Sequence, residues 1–362
     1  MAAPNSVNGD VDAAMAAAVC IGRFQPVHRG HLDLIAQALQ MAPRCVIVIG
    51  SAHQPRTPKN PFTWQERAEM IVAALPAADA QRVVCVPMRD YFDEARWAAA
   101  VQREVPAALG ISADAPPPKL ALIGHFKDAS SGYLRAFPDW QLVAAPRIRD
   151  VDATPLRDAY FGAAANEMTD VLASLSTQLP ANSTAFLNSF AQQPAYAELT
   201  TEWRMLRDYR QAWKAAPYPP VFVTADVLLR CAGHLLLVQR GRAPGRGTWA
   251  LPGGFLDGHE TLYRAALREL HEETGLALPE ATARAAFQCA RVFDHPARSL
   301  RGRTVTHAHL FDLGDIDLPA VAAADDAMAA KWWPLDSLVR LEAEFFDDHF
   351  HILDVMLGLL PG

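Results

Sequence analysis

Residues 253–276 read GGFLDGHETLYRAALRELHEETGL, and this stretch restricts the chain more than any other. Residues 261–274 contain neither Pro nor Gly and are rich in Leu, Ala, Arg and Glu, so they predict a helix, bounded by Gly258 before it and Gly275 after it. At about 100° per residue, Leu262, Tyr263, Ala266, Leu267 and Leu270 form one apolar stripe. Glu269 and Glu273, four residues apart, fall at the edge of that stripe rather than opposite it. Stacked like charges repel by roughly 0.2 to 0.5 kcal/mol on an exposed helix and by more where water is scarce. A positive charge is therefore expected between them. An oxygen-only cluster without Cys or His suits a hard cation, Mg2+ or Mn2+, rather than zinc. The competing reading, a solvated acidic face, fits poorly with the Gly253-Gly254 turn, the carboxylate of Glu260 and the placement at the apolar edge.

The whole chain sets wider bounds. Its 362 residues predict two or three domains, each able to bury a core. A net charge of -7 supplies no general field for DNA or RNA, so no nucleic-acid partner is expected and anionic ligands must be met by local Arg clusters. Cys20, Cys45, Cys85, Cys231 and Cys289 are dispersed without a C-x-x-C, which reads as reduced thiols of a cytoplasmic protein. Residues 1–15 are small, polar and slightly acidic, lack the basic leader of a signal peptide, and predict a disordered tail. No apolar run approaches the ~20 residues of a membrane helix. A homo-oligomer is compatible with this composition.

From residue 16 short apolar runs alternate with amphipathic stretches. Strands are expected at 17–21, 45–49, 83–86, 120–123 and 140–144, and helices at 31–40, 63–75, 93–109, 131–137 and 155–160. Continuous apolar strands separated by helices predict a parallel sheet covered on both faces, with ligands at the carboxyl ends of the strands. After the first strand come Gly22-Arg23-Phe24-Gln25-Pro26-Val27-His28-Arg29-Gly30-His31. His28 and His31 open a helix, where free N–H groups and a partial positive charge favour phosphate. Thr154 and Pro155 read as the cap and first residue of a later helix. Beyond it, 163–175 and 197–215 look helical, and Pro217 to Pro220 mark a boundary. Residues 221–229 and 235–239 predict a hairpin around Gly233, with strands at 285–293, 304–313 and 331–334 and a closing helix at 350–359. The Arg-rich segment 294–303, with Arg298, Arg301 and Arg303, reads equally as a solvated loop or as a contact for a diphosphate or ribose.

Two family resemblances rest on these residues. Gly254, five residues, Glu260, seven residues, then Arg268-Glu269-Leu270-x-Glu272-Glu273-x-Gly275-Leu276 resembles the Nudix hydrolase box in every fixed position. The resemblance implies that Glu269, Glu272 and Glu273 bind Mg2+ or Mn2+, with Glu269 catalytic, while Gly254, Glu260, Arg268 and Gly275 support the box. The segment G-R-F-Q-P-x-H-x-G-H resembles the signature of the nicotinamide mononucleotide (NMN) adenylyltransferase branch of the nucleotidylyltransferases. Gly50-Ser51-Ala52-His53, residues 60–67 (NPFTWQER) and Gly124-His125-Phe126-Lys127-Asp128 extend the match over residues 17–165. This second resemblance implies catalytic roles for His28 and His31, ATP phosphate contacts from Gly22, Arg23, Phe24, Thr154 and Arg157, and nicotinamide recognition by Asp90 and Trp97. Asp152 stands where the family's phosphate motif has Ser, which leaves the phosphate contacts there open.

Together the resemblances imply an α/β protein, a Rossmann-like nucleotidylyltransferase domain at 16–180, a helical linker at 181–217 and a Nudix α/β/α sandwich at 218–362. They imply a bifunctional enzyme. One site would transfer AMP from ATP to NMN, giving NAD and pyrophosphate; the other would hydrolyse a nucleoside diphosphate derivative, ADP-ribose foremost, to AMP and ribose 5-phosphate. The alternatives are a nucleotide-sensing regulator with a non-hydrolysing Nudix domain, and an adenylyltransferase for another phosphorylated acceptor.

Overall fold

The computed structural model describes residues 15–112, 114–125, 135–164 and 166–360. The expected tail up to residue 14, residues 126–128 of the last transferase match and residues 131–134 of an expected helix lie outside these. The chain falls into two compact units. One comprises the described residues up to Ala52 with Trp64–Leu156 and Leu172–Leu187; the other comprises His53–Thr63, Arg157–Val171 and the chain from Asn188 onward.

The first unit runs β1 (Ala17–Gly22), α1 (Arg29–Met41), β2 (Cys45–Ile49), α2 (Trp64–Ala73), α3 (Ala77–Ala80), β3 (Val83–Pro87), α4 (Glu94–Ala108), β4 (Leu120–Gly124) and β5 (Gln141–Ala144). All strand pairs are parallel, in the order β3-β2-β1-β4-β5. β2 and β4 are buried along their whole length, as strands covered by helices on both faces must be. Val46, Val48, Leu120 and Leu122 pack with Val101 and Val105 of α4 in one core. The chain steps from β1 outward to β2 and β3, then returns across β1 to reach β4. That reversal opens a crevice at the carboxyl ends of β1 and β4, where ligands of doubly wound sheets bind.

Four helices follow: α5 (Ala153–Gly162), α6 (Met168–Ser174), α7 (Ala181–Phe190) and α8 (Pro194–Ala212). α5 begins one residue before Thr154, so Thr154 lies within its first turn instead of capping it. α8 is joined to the second unit: Glu202 accepts the Gly245 N–H at 2.9 Å, Arg210 donates to the Leu300 carbonyl at 2.6 and 3.1 Å, and the Tyr209 ring lies 5.8 Å from that of Phe222.

The second unit contains β6 (Val221–Cys231), β7 (His234–Arg240), β8 (Trp249–Ala250), β9 (Gly253–Phe255), α9 (Leu262–Thr274), α10 (Glu280–Ala286), β10 (Phe287–Phe293), β11 (Arg303–Asp312), β12 (Ala327–Pro334) and α11 (His349–Leu357). Residues 285 and 286, expected in a strand, finish α10; their neighbours Ala281, Ala283 and Arg284 favour helix. The mixed sheet has the order β10-β11-β6-β7-β12, with β8 on β7 and β9 on β6. Alternation along β6 builds the sandwich. Val227 and Leu229 pack with Ala266 and Leu270 of α9, whereas Leu228 packs with Ile352 and Leu353 of α11. Among the described residues no helix is long and apolar enough to cross a membrane.

Arg298, from the Arg-rich segment, is not available to a ligand. Its Nε and Nη2 donate to both carboxylate oxygens of Asp348 at 2.9 and 2.8 Å, with the side chains only 4% and 1% exposed. Removing one partner of such a pair strands a buried charge, at a cost of roughly 3 to 5 kcal/mol. Asp348→Asn should therefore lower the urea midpoint of the second unit's unfolding by a corresponding amount, while Arg303→Gln, at the half-exposed Arg303 contact to Asp294, should leave it nearly unchanged.

Candidate active sites

In the first unit, β1 ends at Gly22 and delivers Arg23, exposed, and Phe24, buried, into the crevice. Phe24 has left-handed backbone (φ 55°), and its ring lies 4.7 Å from that of His31. His28 caps α1 and stacks on His31, with centroids 3.6 Å apart and planes 19° apart. The backbone N–H of His28 donates to His31 Nδ1 at 3.2 Å, so a neutral His31 carries its proton on Nε2. Burial, then the nearby His28 and His125, holds the His31 pKa well below the ordinary imidazole value. His31 thus offers a neutral hydrogen-bond donor at the start of α1, where the Arg29 N–H donates to the Gln178 carbonyl at 2.8 Å and the His31 N–H to the His28 carbonyl at 2.9 Å. His125, directly after β4, belongs to one of the matching segments, yet the resemblance implies no role for it; its Nδ1 lies 3.0 Å from the Ala145 carbonyl. It reaches His31 only because β1 and β4 are neighbours, which linear spacing does not disclose.

The remaining transferase candidates are distributed as follows. Asp90, after β3, accepts the Ser51 hydroxyl at 2.6 Å. Trp97, on α4, is half-buried and meets Phe137 edge-on at 5.8 Å, so part of its ring serves the core. Thr154 is exposed in the first turn of α5, and Arg157 is buried one turn further along. Asp152 is met by Arg147 at 3.4 Å, and Arg147 also holds Asp150 at 2.7 Å. The carboxylate that replaces the expected Ser is thereby countered by a guanidinium.

In the second unit the predicted helix is α9. The Thr261 hydroxyl accepts the Arg264 N–H at its start, and Gly275 (φ 68°) closes its end by donating to the His271 carbonyl. Glu269 and Glu273 lie one turn apart. Glu269 is 13% exposed, and burial is the main cause that raises its pKa. Burial also pushes Glu273 up to about 8, against the opposing hydrogen bond from the Gly253 N–H at 3.0 Å and with added repulsion from Glu269. Arg268 supplies the positive charge for the outer carboxylates. Its Nη1 donates to Glu269 at 2.8 Å and to Glu272 at 2.7 Å, and its Nη2 donates to Glu260 at 2.7 Å and to the Phe255 carbonyl. Glu272 is 45% exposed and turned toward this guanidinium. Among the described residues no three Cys, His, Asp or Glu side chains are gathered as a ready-made cation site. The chemistry present nevertheless fits a hard divalent ion: buried Glu273 and half-buried Glu269 on one helix face, oxygen donors only, with Glu269 disfavouring the charge of Glu273.

Sequence reasoning overlooks several neighbours. Thr306 donates to Asp226, buried on β6 beside Gly253. Arg240 lies 4.1 Å over the Phe346 ring, and Arg301 lies 4.9 Å over the Phe255 ring and 5.8 Å over that of Phe346. Arg301 is thus the member of the Arg-rich segment beside the box. Arg240 and Phe346 lie outside residues 253–276, Phe346 far along the chain, and give no local signal.

The glycine pair separates two effects. A Cβ on Gly253 would lie 2.5 Å from the Ala225 carbonyl, whereas one on Gly254 would lie 2.3 Å from Glu269 Oε1, the far end of a flexible side chain. Gly253→Ala should therefore lower the thermal midpoint of the second unit. Gly254→Ala should leave the midpoint near wild type but displace the Glu269 carboxylate, cutting diphosphate hydrolysis by about 10²-fold; melting curves and turnover of the two variants check both halves.

Comparison with known proteins finds relatives of both halves of the chain. Residues 19–109 match the cytidylyltransferase-like family and residues 221–354 the NUDIX domain. The chain is 35% identical over 187 residues to the nicotinamide/nicotinic acid mononucleotide adenylyltransferase of Acinetobacter baylyi, covering 51% of this chain and 92% of that protein. It is 31% identical over 170 residues to the ADP-ribose pyrophosphatase of Methanocaldococcus jannaschii, covering 47% and 89%. Its fold superimposes with a TM-score of 0.85 and 34% identity on the crystal structure of a bifunctional NMN adenylyltransferase/ADP ribose pyrophosphatase from Francisella tularensis, complexed with AMP and a manganese ion, over 95% of this chain and 99% of the other. With both units matched in order and over nearly their whole length, the chain belongs to the family of bifunctional NMN adenylyltransferase/ADP-ribose pyrophosphatases.

Proposed function

We propose that the first unit joins AMP from ATP to NMN, giving NAD and pyrophosphate, and that the second cleaves ADP-ribose to AMP and ribose 5-phosphate. The observation that carries this reading is the presence in one chain of a stacked His28–His31 pair at a helix start and of half-buried Glu269 and buried Glu273 against a glycine pair. The catalytic domains are assigned to residues 16–180 and 218–362, joined by a helical segment at 181–217, in a cytoplasmic protein.

In the transferase, a phosphate oxygen of NMN attacks the α-phosphorus of ATP, and the bond to the departing pyrophosphate breaks as the new P–O bond forms. His31, through Nε2–H, with His28 and the partial positive charge at the start of α1, meets the charge that gathers on the phosphate oxygens. Gly22, Arg23 and Phe24 shape the loop around the phosphates, with Thr154 and Arg157 as further contacts. Asp90 and Trp97 receive the nicotinamide group.

In the hydrolase, water attacks one phosphorus of the diphosphate, and the bridging P–O bond to the other phosphorus breaks as the new bond forms, so that AMP and ribose 5-phosphate separate. Glu269, Glu272 and Glu273 would hold a divalent cation, Mg2+ or Mn2+, which supplies activation of that water and neutralisation of the diphosphate. Glu269 accepts the proton of the water as the bond forms. Arg268 ties Glu260 and Glu269 together and keeps the helix and the preceding loop in register. Gly254 leaves room for the carboxylate, and Gly275 ends the helix that carries it.

Each reading is tested on the purified chain with a divalent metal. Wild type should form NAD from ATP and NMN and release AMP from ADP-ribose; failure with NMN alongside success with another phosphorylated acceptor would remove the first assignment. Glu269→Gln should abolish ADP-ribose cleavage and spare NAD synthesis. His31→Ala should do the reverse, lowering the synthesis kcat by about 10²- to 10³-fold, and equal loss of both activities in either variant contradicts separate sites.

A further inference from the structure

Arg67 is among the most completely buried large side chains of the protein, at 0% exposed, and neither catalytic assignment uses it. It sits in the first turn of α2. One of its nitrogens, Nη1, donates to the carbonyls of both Arg23 and Gly50 at 2.7 Å, and Nη2 donates to the Ser51 carbonyl at 3.1 Å. These acceptors lie where the chain leaves β1 and where it leaves β2. Arg23 precedes Phe24 (φ 55°) and Gly50 precedes Ser51 (φ 51°), both in left-handed backbone, a conformation that side chains with a Cβ rarely adopt and that surrounding contacts must enforce. Both of those residues touch the transferase machinery: the Phe24 ring lies against His31, and the Ser51 hydroxyl donates to Asp90.

We infer that Arg67 is a positioning residue of the adenylyl-transfer site. Its planar fork fixes the phosphate loop after β1 against Ser51 after β2 and, through the Ser51 hydroxyl, Asp90 after β3, so that one buried group sets the distance between the phosphates of ATP and the nicotinamide end of the acceptor. This rests on the adenylyltransferase reading for the identity of the two ligands. The geometry of the brace does not. The fork is specific to arginine, since a lysine ammonium on a flexible stem cannot reproduce a planar grip on three carbonyls drawn from two strand ends. Burial lowers the Arg67 pKa only to about 10, partly offset by Asp90 and Glu66, so the group remains protonated at neutral pH.

Two measurements on the full chain test the inference. In steady-state NAD synthesis, Arg67→Lys and Arg67→Ala should lower kcat by about 10²-fold and raise the KM for NMN, as misplacement of reacting groups does. Millimolar guanidinium should restore part of the activity to R67A but not to R67K. KM does not depend on the fraction of folded enzyme, so unchanged KM values for ATP and NMN, with kcat falling only in proportion to the folded fraction, would reduce Arg67 to a structural residue and overturn the proposal. In the second measurement, amide hydrogen exchange at Gly50 and Ala52, which bond to the Gly22 and Met88 carbonyls, should accelerate by about tenfold or more in R67K. Exchange at wild-type rates overturns the brace. Were the wild-type chain to make no NAD, the adenylyltransferase reading would fail by itself, and the exchange data would still decide whether Arg67 holds the two loops.

Discussion

Two carboxylates held one helical turn apart, Glu273 buried and Glu269 half-buried, impose the main constraint on the second unit. Glu273 is pushed up to about 8 by its burial, and Glu269 is raised for the same reason, so the fold accepts a local electrostatic cost at this point. Its surroundings are arranged to limit that cost without removing it. The Gly253 N–H reaches Glu273, and the Arg268 guanidinium takes Glu269, Glu272 and Glu260 together. The rest of the sandwich keeps this arrangement rigid: Ala265, Ala266 and Leu270 fasten α9 to the sheet, and α11 fills the opposite face. A site left short of positive charge by its own protein groups is one in which a divalent ion has most to contribute.

The first unit meets an anion by different means. A parallel sheet with its reversal at β1 places a helix start at the crevice, and the partial positive charge there already favours phosphate. Adding lysines would hold the substrate and the departing pyrophosphate equally well. A His31 imidazole kept neutral by burial, and held in fixed orientation by stacking on His28 and by the His28 N–H, responds more to the charge that develops during transfer. The same economy is visible at Asp152, where an acidic residue near the expected phosphate contacts is matched by Arg147.

Local patterns in the sequence make much of this architecture legible. The spacing of residues 253–276 dictates the helix, its ends and the paired glutamates, because every one of those features is decided within a few turns of chain. Apolar runs mark the five strands of the parallel sheet to within about two residues. Features that depend on distant chain coming together stay hidden. His125 joins His31 only through the β1–β4 pairing. Arg298 looks free for phosphate in the sequence because nothing near it discloses Asp348, fifty residues away. The start of β10 is misleading for a different reason: residues 285 and 286 are apolar, and in so short a run helix and strand periods cannot be told apart.

Glycines show why a motif and its geometry carry different information. Gly253 and Gly254 are adjacent and look equivalent in sequence, yet one faces the main chain of β6 and the other faces the end of Glu269. The first approach is required for the sheet to form, since backbone cannot withdraw from a new methyl group. The second is required only for a carboxylate to stand in one place. The position whose freedom from a side chain serves chemistry is thus the one that folding alone would least protect, as expected where a site departs from what the fold by itself demands.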